Sequence, residues 1–296
     1  MLSLRAKGMR LILKRQKPSE ERSLEEDREN FKKISGNLPA SKKVSCEKML
    51  IGEIPCLRFT PQLPKNGQHI LYLHGGGYMM GSPEIYRSPI SVLSLMTSTV
   101  ITAVDYRLAP ENPYPAAIED CVSVFLALRN ETGDEIAVAG DSAGGGATLA
   151  TAISLRDSYG LSPSCLYLIS PWLDLTHSGE SMESKADVDV MLAPDWIHTA
   201  ADRYRGNEDA SNPGISPLLA NLEGLPPILI QVGDQELLLS DSERLEDFAS
   251  NAGVEVEIEI AEGLWHVYPL FAFIPEAKKS LKEAVRFIDE HNKLKN

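Results

Sequence analysis

The sequence predicts an α/β fold, a mostly parallel sheet with helices on both faces. Short apolar runs alternate with helical patterns along most of the chain, the succession that builds a parallel sheet. One of these runs, Ile136 to Ala139, passes through Gly140-Asp141-Ser142-Ala143-Gly144 into small, helix-compatible residues, so a strand turns sharply into a helix there. A chain of 296 residues with 43% apolar content is long enough for one large domain with a buried core.

In chain order, Met1 to Pro39 is charged and reads as helical, outside the alternation. Glu53 to Phe59 alternates apolar and polar residues and is expected to be an edge strand. Ile70 to Leu73, Val100 to Val104, Ile136 to Ala139, Leu166 to Ile169 and Ile228 to Val232 are short, predominantly apolar runs that read as buried strands. Val254 to Ile260 alternates again. Between them, Pro115 to Arg129, Ala143 to Arg156, Asp241 to Ala252 and Pro275 to His291 read as helices, with prolines where a first turn tolerates them. Thr176 to Gly214 also breaks the rhythm: a polar loop leads into Met191 to Tyr204, where Met191, Trp196, Ile197 and Tyr204 recur at helical spacing. Long insertions of this kind are usually functional. The two irregular segments, about 1–40 and about 176–214, are expected to form a cap over the carboxyl ends of the strands, where such sheets bind ligands.

Composition excludes several classes. The net charge of −13 opposes nucleic acid and anionic membrane surfaces as partners of the whole molecule. The segment Met1 to Lys17 mixes Arg5, Lys7, Arg10, Lys14 and Arg15 with Leu2, Leu4, Leu11, Ile12 and Leu13, and has neither an uninterrupted apolar core nor a small-residue cleavage site. It reads as an amphipathic helix packed on the body, with peripheral membrane contact as the alternative. No apolar run is long enough to span a bilayer, so stable membrane insertion is not expected. Cys46, Cys56, Cys121 and Cys165 are scattered without a paired motif, which fits a reducing cytoplasm. No metal-ligand spacing occurs, and no metal or other cofactor is expected.

The pentapeptide carries the chemistry. A serine raised on a strand-to-helix turn adopts a strained backbone, and a Cβ at Gly140 or Gly144 would meet the crossing chain. The rival reading, a phosphate-cradling loop, lacks the Gly-x-Gly-x-x-Gly order and any following Gly-Lys-Ser/Thr. Acyl transfer by Ser142 would need a base, a group that orients the base, and donors for an oxyanion. His74-Gly75-Gly76-Gly77 follows the strand Ile70 to Leu73, and consecutive glycines can turn N–H groups toward a substrate oxygen. With the N–H of Ala143, Gly76 and Gly77 would form an oxyanion hole, while His74 is expected to be structural. Of six histidines, His266 stands in Gly263-Leu264-Trp265-His266, just past the strand Val254 to Ile260, and is the candidate base. His69, His177, His198 and His291 are expected to be structural.

Several motifs together resemble the bacterial hormone-sensitive-lipase-like carboxylesterases: His74 to Gly77, Tyr106-Arg107-Leu108-Ala109-Pro110-Glu111, Tyr114-Pro115-Ala116-Ala117 with Asp120, Gly140 to Gly144, Ser170-Pro171-Trp172, Ser216-Pro217-Leu218, and Leu225-Pro226-Pro227. The likeness runs from about Ile70 onward. It implies a single α/β-hydrolase domain over 1–296, with a mostly parallel eight-stranded sheet, helices on both faces and a helical cap. It also implies the chain order Ser, acid, His. Two carboxylates compete as the acid in Gly233-Asp234-Gln235-Glu236-Leu237-Leu238, where relatives commonly carry Asp followed by Pro-Leu. Counting from the flanking motifs on either side to the family's acid lands on Glu236, which is assigned the role; Asp234 is expected to hold the loop and is the alternative acid.

The expected activity is hydrolysis of short- to medium-chain hydrophobic carboxylic esters through Ser142, His266 and Glu236. Tyr78, Met79, Met80, Trp172, Met191, Trp196 and Tyr204 are candidates for the substrate pocket. A lactone hydrolase or arylamide deacylase is the alternative within enzymes. A non-catalytic small-molecule receptor is the alternative of another class, against which the retained Ser142, Glu236 and His266 count. The resemblance also suggests a homodimer through the edge strand around Val254 to Ile260 and the terminal helix.

Overall fold

The computed structural model describes residues 2–17, 22–35 and 40–293. Its elements are α1 Leu4–Gln16, α2 Leu24–Ser35, β1 Val44–Ile51, β2 Ile54–Pro61, β3 Gln68–Leu73, α3 Arg87–Thr97, β4 Val100–Val104, α4 Ala116–Thr132, β5 Glu135–Asp141 and α5 Ala143–Tyr159. There follow β6 Leu166–Ile169, α6 Ser181–Ser184, α7 Pro194–Arg205, β7 Ile228–Gly233, α8 Leu239–Asn251, β8 Val256–Ala261 and α9 Pro275–His291. The strands form one eight-stranded sheet in the order β1-β2-β4-β3-β5-β6-β7-β8. Only the pairings of β2, with β1 and with β4, are antiparallel; the rest are parallel.

Strand period sorts the core into two layers. Leu71, Leu73, Ile136, Val138, Leu166, Leu168 and Ile230 point to one face, where α4, α5 and α8 supply Phe125, Leu149 and Leu245. Ile70, Tyr72, Ala137, Ala139, Tyr167 and Leu229 point to the other, against Ile90 and Leu93 of α3 and Leu281 and Phe287 of α9. A third cluster joins Ala6 and Leu13 of α1 to Leu264, Trp265, Tyr268 and Ile274, in the chain that follows β8.

Three elements were not anticipated, β1, α3 and the single-turn α6 within the expected polar loop, and one was misplaced. β1 is the true edge strand, and β2, expected at the edge, lies inside between β1 and β4. In β1 only Val44 and Ile51 are buried; the charged residues between them conceal the strand from a hydrophobic pattern. In α3 a proline and several serines weaken helix propensity, and burial of Ile90, Leu93 and Thr97 overrides it.

Helix starts follow local chemistry. The Ser3 side chain accepts the N–H of Ala6 at the head of α1. Before α2, Ser23 and Glu26 form a reciprocal capping box, Glu26 N to Ser23 Oγ at 3.3 Å and Ser23 N to Glu26 Oε2 at 2.8 Å. Of the two segments expected to form a cap, residues 1, 18–21 and 36–39 lie outside the described residues.

Candidate active site

Ser142 caps α5 with φ 55° and ψ −123°, a conformation rare for a side-chain-bearing residue. Surrounding hydrogen bonds hold it there: its N–H donates to Ile169 O at 2.9 Å, and its carbonyl accepts from Gly146 N at 3.1 Å and Trp172 N at 2.9 Å. The flanking glycines leave room for the turn. A Cβ on Gly140 would lie 2.2 Å from Gly144 O, and one on Gly144 would lie 2.1 Å from Leu73 O.

The loops after β7 and β8 bring two further side chains to this serine. His266 Nε2 stands 2.9 Å from Ser142 Oγ, and His266 Nδ1 stands 2.7 Å from Glu236 Oε2. Glu236 is fully buried, and its other oxygen, Oε1, accepts the Ser170 hydroxyl at 2.8 Å and the Gly233 N–H at 2.7 Å. The Ser170 hydroxyl also accepts Val267 N at 2.9 Å, which ties the histidine loop to the same carboxylate. Asp234 points elsewhere and accepts the N–H of Gly263 at 2.7 Å, bracing the loop before His266. Burial disfavours the imidazolium of His266, yet the Glu236 charge and hydrogen bond, with Asp189 and Asp141 beyond, outweigh it and raise the pKa above the ordinary value.

The glycine loop after β3 is pinned by the residue preceding Ser142. Asp141 accepts the N–H of Gly75 at 3.1 Å, the Tyr72 hydroxyl at 2.9 Å and the Tyr86 hydroxyl at 2.8 Å. Burial pushes its carboxyl up to about 6 against the opposing pull of these donors. His74 stacks on Tyr106 at 4.3 Å, is fully buried, and has its pKa lowered by burial to about 4. Gly76 (φ 119°) and Gly77 (φ 62°) adopt backbone open to glycine; a Cβ on Gly76 would meet Met80 O at 2.1 Å, and one on Gly77 would meet the Trp196 ring at 2.7 Å. Both line a cavity with Ser142, while Ala143 is buried at the first turn of α5, where N–H groups and the helix dipole favour negative charge.

That cavity measures about 280 Å³. Its walls are Met80, Met191, Trp196, Ile85, Pro89, Leu270 and Phe271, with Met9 and Leu13 of α1 and Phe31 of α2. Tyr78, Met79, Trp172 and Tyr204, expected in the pocket, are each about 1% exposed and belong to the core instead. Tyr78 stacks on Tyr204 at 3.7 Å and tilts against Trp172, so helical spacing there reports packing beneath the site. Sequence reasoning missed the anchoring of Glu236 by Ser170, of the glycine loop by Asp141, and of the 189–192 turn by Asp189, which accepts Met191, Leu192 and Leu237 N–H groups. It missed the walls from α1 and α2 too, although Ala6, Met9 and Leu13 recur at helical spacing.

Among the described residues no cluster of His, Cys, Asp or Glu is arranged to hold a metal ion, and no helix is long and apolar enough to cross a membrane. A family profile described as alpha/beta hydrolase fold matches residues 70–270. The chain is 37% identical over 224 residues to an esterase of Acinetobacter venetianus, covering 74% of each chain. It is 36% identical over 227 residues to an acetyl-hydrolase of Streptomyces hygroscopicus, covering 76% of each. Among solved structures, a hormone-sensitive lipase from a metagenome library superposes with a TM-score of 0.94 at 36% identity, over 99% of this chain and 100% of that one.

Proposed function

The chain belongs to the hormone-sensitive-lipase-like bacterial carboxylesterases of the α/β-hydrolase fold, and from that premise we propose that it cleaves short- to medium-chain hydrophobic esters through Ser142, His266 and Glu236. It is a serine carboxylic ester hydrolase. The observation that carries the proposed mechanism is the unbroken relay from Ser142 Oγ through His266 to the buried Glu236, opening on an apolar cavity.

In this mechanism His266 Nε2 takes the Ser142 proton as Oγ attacks the ester carbonyl, and Glu236 stabilises the imidazolium and fixes its tautomer. The developing oxyanion receives the N–H groups of Gly76, Gly77 and Ala143. Collapse of the tetrahedral intermediate breaks the ester C–O bond, and His266 hands its proton to the leaving alkoxide. A water then attacks the acyl-enzyme, gives a proton to His266, and the acid departs as Ser142 recovers its proton. The acetyl-hydrolase relative supports a short acyl group, and the cavity of about 280 Å³ admits a compact hydrophobic one.

In this reading the described parts of 1–40 and 176–214 cover the site as a cap. Trp196 Nε1 of α7 donates to Asp27 of α2 at 3.0 Å, and Arg28 grips Met79 O, Ala109 O and Glu111, so the two segments are tied together and to the body. The free cysteines fit a cytoplasmic location. A homodimer through the β8 edge fits the half-exposed Ile260 there.

The test is a p-nitrophenyl ester series from acetate to decanoate, with lactones and an arylamide alongside, for the parent and Ser142→Ala, together with labelling by a fluorophosphonate. Activity confined to the shorter esters, abolished with the label in Ser142→Ala, is expected. An unlabelled, inactive parent protein would favour a receptor. Preference for lactones or the arylamide would move the substrate class.

A further inference from the structure

α1 has apolar residues on both of its faces, and only one is used by the fold. Ala6, Met9 and Leu13 face inward, to the Trp265 cluster and the cavity. On the outside, Leu4 is 85%, Leu11 66% and Ile12 49% exposed. Leu4 and Leu11 are two turns apart and so share a face, beside Ile12. A helix lying on a water-soluble body normally turns polar residues outward, so three exposed aliphatic side chains on one short helix call for a partner.

Charge says which partner. Residues 2–17 hold Arg5, Lys7, Arg10, Lys14, Arg15 and Lys17 and no carboxylate, in a chain of net charge −13. Arg10 and Lys17 bond to backbone carbonyls of the body. Lys7, Lys14 and Arg15 are exposed and have no ion-pair partner among the described residues; they flank the Leu11 and Ile12 strip. Protein interface cores exclude lysine, whereas cations ringing an apolar strip match the headgroup and acyl layers of an anionic lipid surface. Neighbouring surface extends the patch. Arg5 donates to Phe273 O, the Phe273 ring is 41% exposed and also lines the cavity, and exposed Lys278 and Lys279 follow Glu276, which receives the N–H and hydroxyl of Ser3.

We infer that the outer face of α1 is an interfacial docking surface for anionic lipid. Leu4, Leu11 and Ile12 enter the acyl boundary and Lys7, Lys14 and Arg15 meet the headgroups, while the helix lies in the interface plane. The net charge argues against polyanion binding by the molecule as a whole, but the field is short-ranged at physiological salt, and the segregation of cations onto one helix overrides it locally. The inner side of the docked helix is cavity wall, so docking brings the cavity beside the phase into which hydrophobic esters partition.

The full chain is sedimented with vesicles of phosphatidylcholine alone and of phosphatidylcholine with 30% phosphatidylglycerol, with and without 0.5 M NaCl. Binding to the anionic vesicles only, reversed by salt, is expected. Lys7→Gln/Lys14→Gln/Arg15→Gln and Leu11→Gln/Ile12→Gln should each weaken it by about tenfold or more, with p-nitrophenyl acetate hydrolysis unchanged as the check on folding. Parent protein that ignores lipid charge, or variants that bind as tightly as the parent, would overturn the inference. So would an oligomer dispersed by Leu11→Gln/Ile12→Gln without vesicle binding, since a second copy would then cover the face. Vesicle binding is read without turnover, so its failure is distinct from failure of the esterase reading.

Discussion

Glu236→Gln isolates what the buried carboxylate does, because the structure dictates how the amide must sit. Oε1 accepts two donors, and one of them, the Gly233 backbone N–H at 2.7 Å, cannot rotate away. The amide oxygen must therefore take the Oε1 position, which turns the NH₂ toward His266 Nδ1. The imidazole can accept that donor only by carrying its own proton on Nε2, the atom 2.9 Å from Ser142 Oγ that receives the serine proton in the proposed mechanism. A triad base locked in the wrong tautomer loses about 10⁴ in kcat, equivalent to about 5.4 kcal/mol of transition-state stabilisation. The pH profile provides a second, independent readout. In the parent protein the raised pKa of His266 places the acid limb of kcat/KM above the ordinary histidine value, with activity lost as the pH falls through it. Removing the Glu236 charge deletes the leading upward influence and leaves burial dominant, so the limb of the residual activity should shift to lower pH. Steady-state kinetics on p-nitrophenyl butyrate from pH 5 to 9, beside Asp234→Asn as the loop-bracing control, measures both. Glu236→Gln within tenfold of the parent, an unmoved limb, or an Asp234→Asn variant equally crippled would refute the reasoning.

Three further outcomes follow from packing and charge. Asp241 is buried and accepts Leu173 N and Asp174 N on one oxygen, and burial raises its pKa from 3.8 to about 7. Its folded-state preference for the proton is a stabilisation fully present below 3.8 and lost as the pH rises through about 7. Asp241→Asn keeps the carbonyl acceptor without the titration, so it should gain on the parent between these values; urea melts at pH 4.5 and 8 with equal differences would contradict this. Trp196→Ala removes a cavity wall and should shift preference toward longer esters, by about fourfold in kcat/KM per extra methylene accommodated; an unchanged chain-length profile would place the acyl group elsewhere. Gly8 lies in α1 with nothing within 4 Å of a Cβ built on it. Gly8→Ala should therefore stabilise the helix by about 0.5–1 kcal/mol and slow exchange of the α1 amides about two- to fivefold, and no slowing would mean that α1 opens by another route.

The parts of this protein that could be read from its sequence are those in which one local constraint dominates. Buried parallel strands such as Leu166–Ile169 are apolar throughout because both faces are covered, and the elbow is visible because only glycine fits where a Cβ would come within 2.2 Å of backbone. What escaped depends on partners distant in the chain. β1 is a strand because β2 pairs with it, not because its charged sequence favours one. Tyr78 and Tyr204 sit 126 positions apart and stack in the core; aromatic character placed them near the site without saying on which side of the cavity wall they lie. Ser170 is the clearest case. Its Ser-Pro-Trp setting marked it as part of a motif, but its work, donating to Glu236 while accepting from Val267, joins positions 66 and 97 residues away. α1 was legible as an amphipathic helix on the body, yet the sequence pattern does not say which of its apolar residues are buried. Docking of Ala6 and Leu13 against Trp265 decides that, and by deciding it leaves Leu4 and Leu11 in solvent. The same contact that completes the cavity wall therefore creates the exposed strip, so α1 cannot be optimised for one face alone: a polar Leu11 should leave the cavity intact, whereas a polar Leu13 should disturb both.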